Sequence, residues 1–306
     1  MATQTLAVLT QENKTFYERT LLKRMLPNLE FYRHAQKKPI PEHEGSTINF
    51  RRFNALNPAT TALTEGVTPS GSSLSISVIT ATAAQYGDFV EISDKLDMAG
   101  IDPVLTETAE CLGEAAALTV DTLIRDVVSV GTNVLYANGR ANTNAITATD
   151  VMTHTEVLKA VRTLKSANAK PLEGGYFIGL IDPAVAYDLE KDTYWQDISK
   201  YNGAENMMKG EIGRLGGVRF IETTNIKVAN NTSSIPVHSC MILGQDAYGV
   251  VDIDGGATPE IIIKPFGSAG TADPLDQRAT AGYKLFMTAV RLQELAMIRV
   301  ECAATA

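Results

Sequence analysis

The stretch from Ser46 to Ile92 constrains this chain most, because it reads as a long β-hairpin that its own domain could not bury. Ile48, Phe50 and Phe53 punctuate polar neighbours on the way in. On the way out, Ser73-Leu74-Ser75-Ile76-Ser77-Val78 alternates strictly, the period-2 pattern of a half-buried strand. Between them, Asn57 to Gly71 is rich in turn formers. Arms of about 12–15 residues at ~3.3 Å each reach roughly 40–50 Å. A compact domain of ~150 residues is only about 40 Å across. Such an arm either folds back on itself or lies on another subunit, and the second option makes the chain a building block.

With 306 residues there is room for two modest domains, and a hydrophobic fraction of 44% can fill real cores. The net charge of −8 argues against a surface made to grip phosphates. An acidic shell that encloses nucleic acid without sticking to it fits this composition, and so do many cytosolic enzymes. Cys111, Cys240 and Cys302 lie far apart with no C-x-x-C pair, which points to buried, inert thiols in a reducing compartment. Met1 to Gln11 lacks the basic and apolar regions of a signal peptide, and no apolar run approaches the ~18 residues of a membrane span. The expectation is a soluble chain, intracellular where it is made, with no membrane partner.

The first forty residues form a separate piece. Glu12 to Gln36 has weak helical periodicity with Phe16, Leu21, Leu22 and Leu26 as its stripe, broken by Pro27. Lys23-Arg24, Arg33-His34 and Lys37-Lys38 give the main basic concentration, open to three readings: a solvated face, a nucleic-acid contact, or an arm around a neighbour. The clearest helix runs from Pro103 to Val130, with Asp102 as cap and Gly131 as terminator. Leu105, Ala109, Leu112, Ala116, Val120, Leu123 and Val127 recur at steps of three and four. At ~1.5 Å per residue it spans about 42 Å and acts as a spine. From Thr149 the pattern becomes short α/β alternation. Thr149 or Asp150 caps a helix to about Asn168, Tyr176 to Ile181 is a buried strand, and Asp182-Pro183 opens a helix through Leu189. A looser region from Thr193 to Asn206 holds Trp195, the only tryptophan. Strands follow at Val218 to Glu222, Cys240 to Leu243, Gly249 to Ile253 and Glu260 to Lys264, and Tyr283 to Val300 returns as strands against the spine.

Catalytic constellations are scarce. His34, His43, His154 and His238 are scattered, with no H-E-x-x-H spacing, and there is no G-x-S-x-G elbow. His154, near a helix start, reads as a surface or capping residue. The run Gly210 to Gly217 matches no phosphate loop and reads as a turn with Arg214 facing a partner. Asp252-Ile253-Asp254-Gly255 opens like a calcium loop, but position 12, which needs Glu, falls on Ile263. No catalytic residue, cofactor or metal ligand is expected.

Several segments together resemble the major capsid proteins of tailed bacteriophages, in particular the podovirus-type family. They are Leu63 to Pro69, Gln85 to Asp94, Asp102 to Leu105, Ile146 to Asp150 and Gly210 to Phe220, in family order over nearly the whole chain. The resemblance implies an α+β fold: an N-terminal arm, an extended β-hairpin loop, a peripheral domain on a long spine helix, and an axial domain. On this sequence these would be 1–45, 46–92, 93–148 with 265–306, and 149–264. The implied function is a structural subunit that self-assembles as hexamers and pentamers into an icosahedral shell. That shell would enclose double-stranded DNA without sequence-specific binding, in virions assembled in the host bacterial cytoplasm. Arg51, Arg52 and Glu65 would make intersubunit contacts near the loop, as would Arg214. A portal protein and a separate scaffolding protein are implied partners, the latter because no long cleavable coiled-coil extension is visible. Some relatives lock their shells with lysine–asparagine bonds donated from the loop. This chain has no lysine between Lys38 and Lys95, so a non-covalent shell is expected, with a cement protein as a further partner. Two other readings stay open: an encapsulin-like compartment of the same fold, and an enzyme with a small-molecule site in an α/β domain.

Overall fold

Half of the molecule is organised around one long strand, β13 (Arg278–Arg291), in the computed structural model. The structure describes residues 30–41, 43–68, 70–100, 104–172, 174–194, 213–253, 259–268, 270 and 273–305. Along β13 the odd-numbered residues Ala279, Ala281, Tyr283, Leu285 and Met287 are buried, so one face of the strand looks into a core. On one side β13 pairs antiparallel with β4 (Ala84–Ser93). On its other side it pairs with two strands placed end to end, β11 (Tyr248–Ile253) and β12 (Glu260–Lys264). A short strand, β1 (Gln36–Ile40), adds in parallel to β11.

The spine helix α2 (Val104–Ser129) packs on the buried face of this sheet. Its 26 residues span about 39 Å at ~1.5 Å per residue. Leu112, Ala116, Val120, Ile124 and Val128 are its buried stripe, spaced by four throughout. The expected stripe drifts from this one: Leu123 and Val127 are only half-buried, because the helix turns Ile124 and Val128 inward in the last two turns. The Gly131 N–H donates to the Val128 carbonyl at 3.2 Å and ends the helix as expected. Asp102 and Pro103 lie outside the described residues.

A second sheet has the order β5-β14-β10-β6-β8-β7, with β9 (Val228–Asn230) beside β10. Its strands are β5 (Val134–Tyr136), β14 (Met297–Cys302), β10 (Pro236–Leu243), β6 (Phe177–Ile181), β8 (Val218–Glu222) and β7 (Gly213–Leu215). Every residue of β6 is buried, because both faces are covered. Ile178 and Leu180 join the core that contains α2. Phe177 and Ile181 face the core of α3 (His154–Ser166) and α4 (Pro183–Lys191). Gly179 has no room for a side chain, since a Cβ would sit 2.6 Å from Phe220 Cδ1.

Strand pairing divides the chain differently from the expected grouping. Segments 248–253 and 260–264 belong to the β13 sheet, although their position in sequence groups them with 149–264. β14, expected to lie against the spine with 265–306, instead sits between β5 and β10 in the second sheet. The reason is hydrogen bonding: β13 is long enough to pair β11 and β12 on one edge, while β10 offers β14 a six-residue antiparallel register.

Local departures have equally concrete causes. Asp150 does not cap α3, whose N-cap is Thr153. Its buried carboxylate instead accepts from Arg140 Nε at 2.7 Å, the Thr147 N–H at 2.7 Å and Asn138 Nδ2 at 3.0 Å, closing the loop 137–150. Burial pushes this carboxyl up, but the bonds from Arg140, Thr147 and Asn138 outweigh it and hold it well below the usual carboxylate range. Asp182 caps α4 as expected, accepting from the Ala184 N–H at 3.1 Å. The glycine-rich run is a strand before it is a turn: β7 and β8 are joined by Gly216 and Gly217 at φ of 60° and 91°. These positive angles suit a two-residue hairpin link. The helical reading of 12–36 ends in a different structure, since 36–40 is β1; residues 12–29 and Trp195 lie outside the described residues. Cys240 and Cys302 are buried as expected, but Cys111 is exposed, because it lies on the solvent side of α2 beside buried Leu112.

Candidate assembly surface

The hairpin is built from β2 (Thr47–Phe53) and β3 (Ile76–Thr82), which pair antiparallel from Thr47↔Thr82 to Phe53↔Ile76. The paired arms are seven residues each, about 23 Å at ~3.3 Å per residue, shorter than the expected 40–50 Å. The outgoing strand does not stop there. After Ala83 it continues as β4 and pairs with β13, so its second half belongs to the body of the protein. One edge of the hairpin thereby grows directly out of the central sheet, which fixes its direction.

Alternation decides which side faces the body. Ile48, Phe50 and Ala81 pack on Ile40, Val251 and Val290, pinning the hairpin base to β1, β11 and β13. The opposite side is polar at the base, where Thr80 Oγ1 donates to Asn49 Oδ1 at 2.7 Å and the hydroxyls of Thr47 and Thr82 meet at 3.2 Å. It turns apolar toward the neck, where Phe53, Ile76 and Val78 are exposed. Asn54 closes the neck, where its N–H donates to the Ser75 carbonyl at 3.0 Å and its side-chain Oδ1 accepts from Ser77 Oγ at 3.0 Å. Beyond Asn54 the chain forms a wide tip. Within it, Val67 N–H donates to the Thr64 carbonyl at 3.2 Å around Gly66, whose φ is 76°.

Every described residue from 55 to 76 is exposed. Phe53, Leu56, Leu63, Val67, Leu74 and Ile76 are all large apolar side chains left in solvent. That concentration is unusual for a chain that otherwise packs two cores, and it marks an interaction surface. The alternating pattern that begins at Ser73 enters the ladder only at Ile76, because among the described residues Ser73 and Leu74 have no opposing strand.

The expected contact residues distribute over this surface unevenly. Arg51 and Arg52 sit on β2 and line a groove of about 470 Å³ with Gln36, Lys38, Phe50 and Leu292. Glu65 lies on the tip, next to Gly66. Arg51, Arg52 and Glu65 make no ion pair with any described residue. Arg214 is not part of the hairpin: it lies in β7, and its guanidinium stacks 4.7 Å from the ring centroid of Tyr176. Leu56, Leu63 and Val67 stand singly among turn formers and have no period, so periodicity does not find them, whereas Phe53, Leu74 and Ile76 fall in the strand patterns.

The end of the N-terminal segment is also anchored. Phe31 is buried in the α2 core, Tyr248 OH donates to its carbonyl at 2.6 Å, and the Tyr32 N–H donates to Asp121 Oδ1 at 3.1 Å. Asn225 Nδ2 donates to the other Asp121 oxygen at 2.8 Å. Burial raises the Asp121 carboxyl above its usual range, partly offset by these bonds. Phe31 and Tyr32 are therefore fixed against the spine helix and β11.

Among the described residues no group of three or more His, Cys, Asp or Glu side chains could hold a metal. No helix there is long and apolar enough to cross a membrane. His154 Nδ1 lies 2.8 Å from Asp192 Oδ2 and its ring stacks on Tyr194 at 4.5 Å.

A chain with two interlocked sheets on a spine helix, and an arm whose apolar side chains find no cover at home, belongs to the class of assembly subunits. Residues 77–300 match the family model described as phage capsid protein, and the chain belongs to that family. No curated protein matches the sequence. The fold is similar to the capsid protein of Ralstonia phage GP4, with a TM-score of 0.75 at 14% identity over 96% of both chains. It is similar to that of cyanophage Pam1, with a TM-score of 0.75 at 14% identity over 99% of both chains. The capsid of Helicobacter pylori bacteriophage KHP30 matches with a TM-score of 0.72 at 12% identity, over 94% of this chain and 95% of that one. The protein is thus a structural capsid shell subunit of the virion, with the tailed-phage major capsid fold.

Proposed function

We propose that this chain tiles as hexamers and pentamers into an icosahedral shell around phage double-stranded DNA, assembled in the host cytoplasm. The hairpin of each subunit lies on its neighbour. The observation that carries this reading is the end of the arm: six exposed large apolar residues, Phe53 and Ile76 closing the ladder and four on the tip. Among the described residues the arm packs on the body at its base. Rings of six and five require head-to-tail contacts that close by rotation, and an arm reaching outward from one edge supplies such a contact. In this reading Arg51, Arg52 and Glu65 are rim charges that orient the arm, while Phe53, Leu56, Leu63, Val67 and Leu74 supply the buried area. Arg214, on the other sheet, faces a neighbour near the capsomer centre.

The domain assignment follows the sheets. The peripheral domain is α2 with the β13 sheet, and the axial domain is the β10 sheet with α3 and α4. A scaffolding protein, a portal and a cement protein act as separate chains. The net charge of −8 suits a wall that encloses DNA without binding its sequence.

Deleting Asn57 to Gly71 from the full chain tests the reading by negative-stain electron microscopy. The expected result is a folded subunit that forms neither rings nor shells under conditions where the wild type does. Shells of normal yield from the deletion variant would overturn the role of the arm.

A further inference from the structure

A contact of a second kind is written into the edge strand β12, Glu260-Ile261-Ile262-Ile263-Lys264. Among the described residues β12 pairs only with β13, so its outer edge presents unpaired backbone groups. Ile261 and Ile263 are 40% and 47% exposed. Their cross-strand partners, Tyr283 and Ala281, point to the α2 side, so both isoleucines lie on that face, at the margin of the helix, and stay largely in solvent. Ile262 opposes Gly282 and shares the other face with Glu260 and Lys264. The Glu260 carboxylate lies 3.4 Å from Lys284 Nζ, yet its side chain stays 65% exposed.

Edge strands are ordinarily blunted by charges, prolines or bulges along their length. Here the charges stand only at the two ends, around three consecutive isoleucines. The strand is complementary to itself when read antiparallel. Centred on Ile262, that register sets Glu260 opposite Lys264 of a second copy, Ile261 opposite Ile263, and Ile262 opposite its own equivalent. Directly opposed residues share a face. Two ion pairs therefore flank an isoleucine pair on one face, and two further isoleucine pairs fill the other. Any slip in register breaks both ion pairs at once.

We propose that the β12 edge joins two copies of this chain about a two-fold axis, extending the β13 sheet across the contact. The inference rests on the shell reading above. Contacts inside a ring of six or five are head-to-tail, so this self-complementary contact lies between neighbouring rings. A ladder of this length spans only about 17 Å, so each contact is weak and acts through its repetition over the shell.

Oxidative cross-linking in assembled particles tests the proposal, using the full chain with Cys111→Ser and Ile262→Cys. Opposed residues of an antiparallel pair have Cα atoms about 4.5–5.5 Å apart, within the range that a disulfide bridges. A covalent dimer is expected from particles. None is expected from dilute unassembled subunits, or from particles of a Cys111→Ser/Thr232→Cys control, where the new thiol sits on an exposed loop. Normal particles without dimers would overturn the two-fold contact and leave the shell reading intact. Failure of the wild-type chain to form shells with its partners would count against the shell reading instead. Should the cysteine variant not assemble, charge exchange decides. Glu260→Lys and Lys264→Glu each set like charges against each other twice per contact, raising the assembly threshold concentration about tenfold. The double variant restores both pairs and returns the threshold toward wild type. Glu260→Lys and the double variant both lose the Lys284 pair, so their comparison isolates the contact between copies. A double variant no better than Glu260→Lys alone overturns the proposal.

Discussion

Replacing Leu63, Val67 and Leu74 together by serine separates folding from assembly in this chain. The three side chains are 76%, 61% and 60% exposed, so the isolated subunit gains almost nothing from them. Exposed substitutions of this kind change stability by about 0.5 kcal/mol or less. Full burial of a leucine or valine is worth ~1.5–3 kcal/mol, and roughly two-thirds of each surface remains to be covered. The triple variant therefore forgoes about 4 kcal/mol of potential burial at each hairpin contact, an upper bound because ordering the tip opposes it. A net loss of about 3 kcal/mol lowers the association constant of one contact by more than a hundredfold. Thermal unfolding of the subunit should superpose on wild type, while sedimentation velocity and electron microscopy should show assembly shifted to much higher concentration or lost. A variant that melts and assembles like wild type would refute the argument that the tip is buried against a neighbour.

Three further outcomes follow from the same structure. Ile124→Ala empties a fully buried site between α2 and the β13 sheet and should lower the unfolding free energy by about 2–5 kcal/mol in denaturant titration. Asp150 has its folded pKa depressed below the ordinary value of 3.8, so its contribution to stability is present above that pH and fades as the pH falls through and below it. The difference in Tm between wild type and Asp150→Asn should accordingly be greatest above pH 4 and close in stronger acid. Cys111 alone should react with a thiol reagent in the native protein. Cys240 and Cys302 should react only after unfolding, since both are buried and the Cys302 thiol is pushed up by its hydrogen bond with Cys240 and by burial.

Periodicity located most elements because each has one dominant neighbour. The spine helix, β6, α4 and the β2–β3 hairpin are legible in steps of 3.6 or 2, with Asp182 and Gly131 marking their ends by local capping chemistry. Asp150 reads as a cap locally, yet it is taken by Arg140, Asn138 and Thr147 once the loop closes. Cys111 reads as one more buried thiol, yet the phase of α2 turns it to solvent.

The amino-acid sequence by itself determines that this chain has a long spine, two lobes of α+β character and a hairpin with a long turn-rich tip, since these depend on local periods and composition. Its ordered segments also mark the capsid family. Only the tertiary structure decides which strands share a sheet: β14 leaves the lobe of β13, and β11 and β12 join it, although neither move leaves any trace in hydrophobic pattern. The physical reason is that strand partners are chosen by hydrogen-bond register and by the faces left open on distant segments. A strand's own residues state that it will pair, while its partner is settled by the geometry of the assembled core.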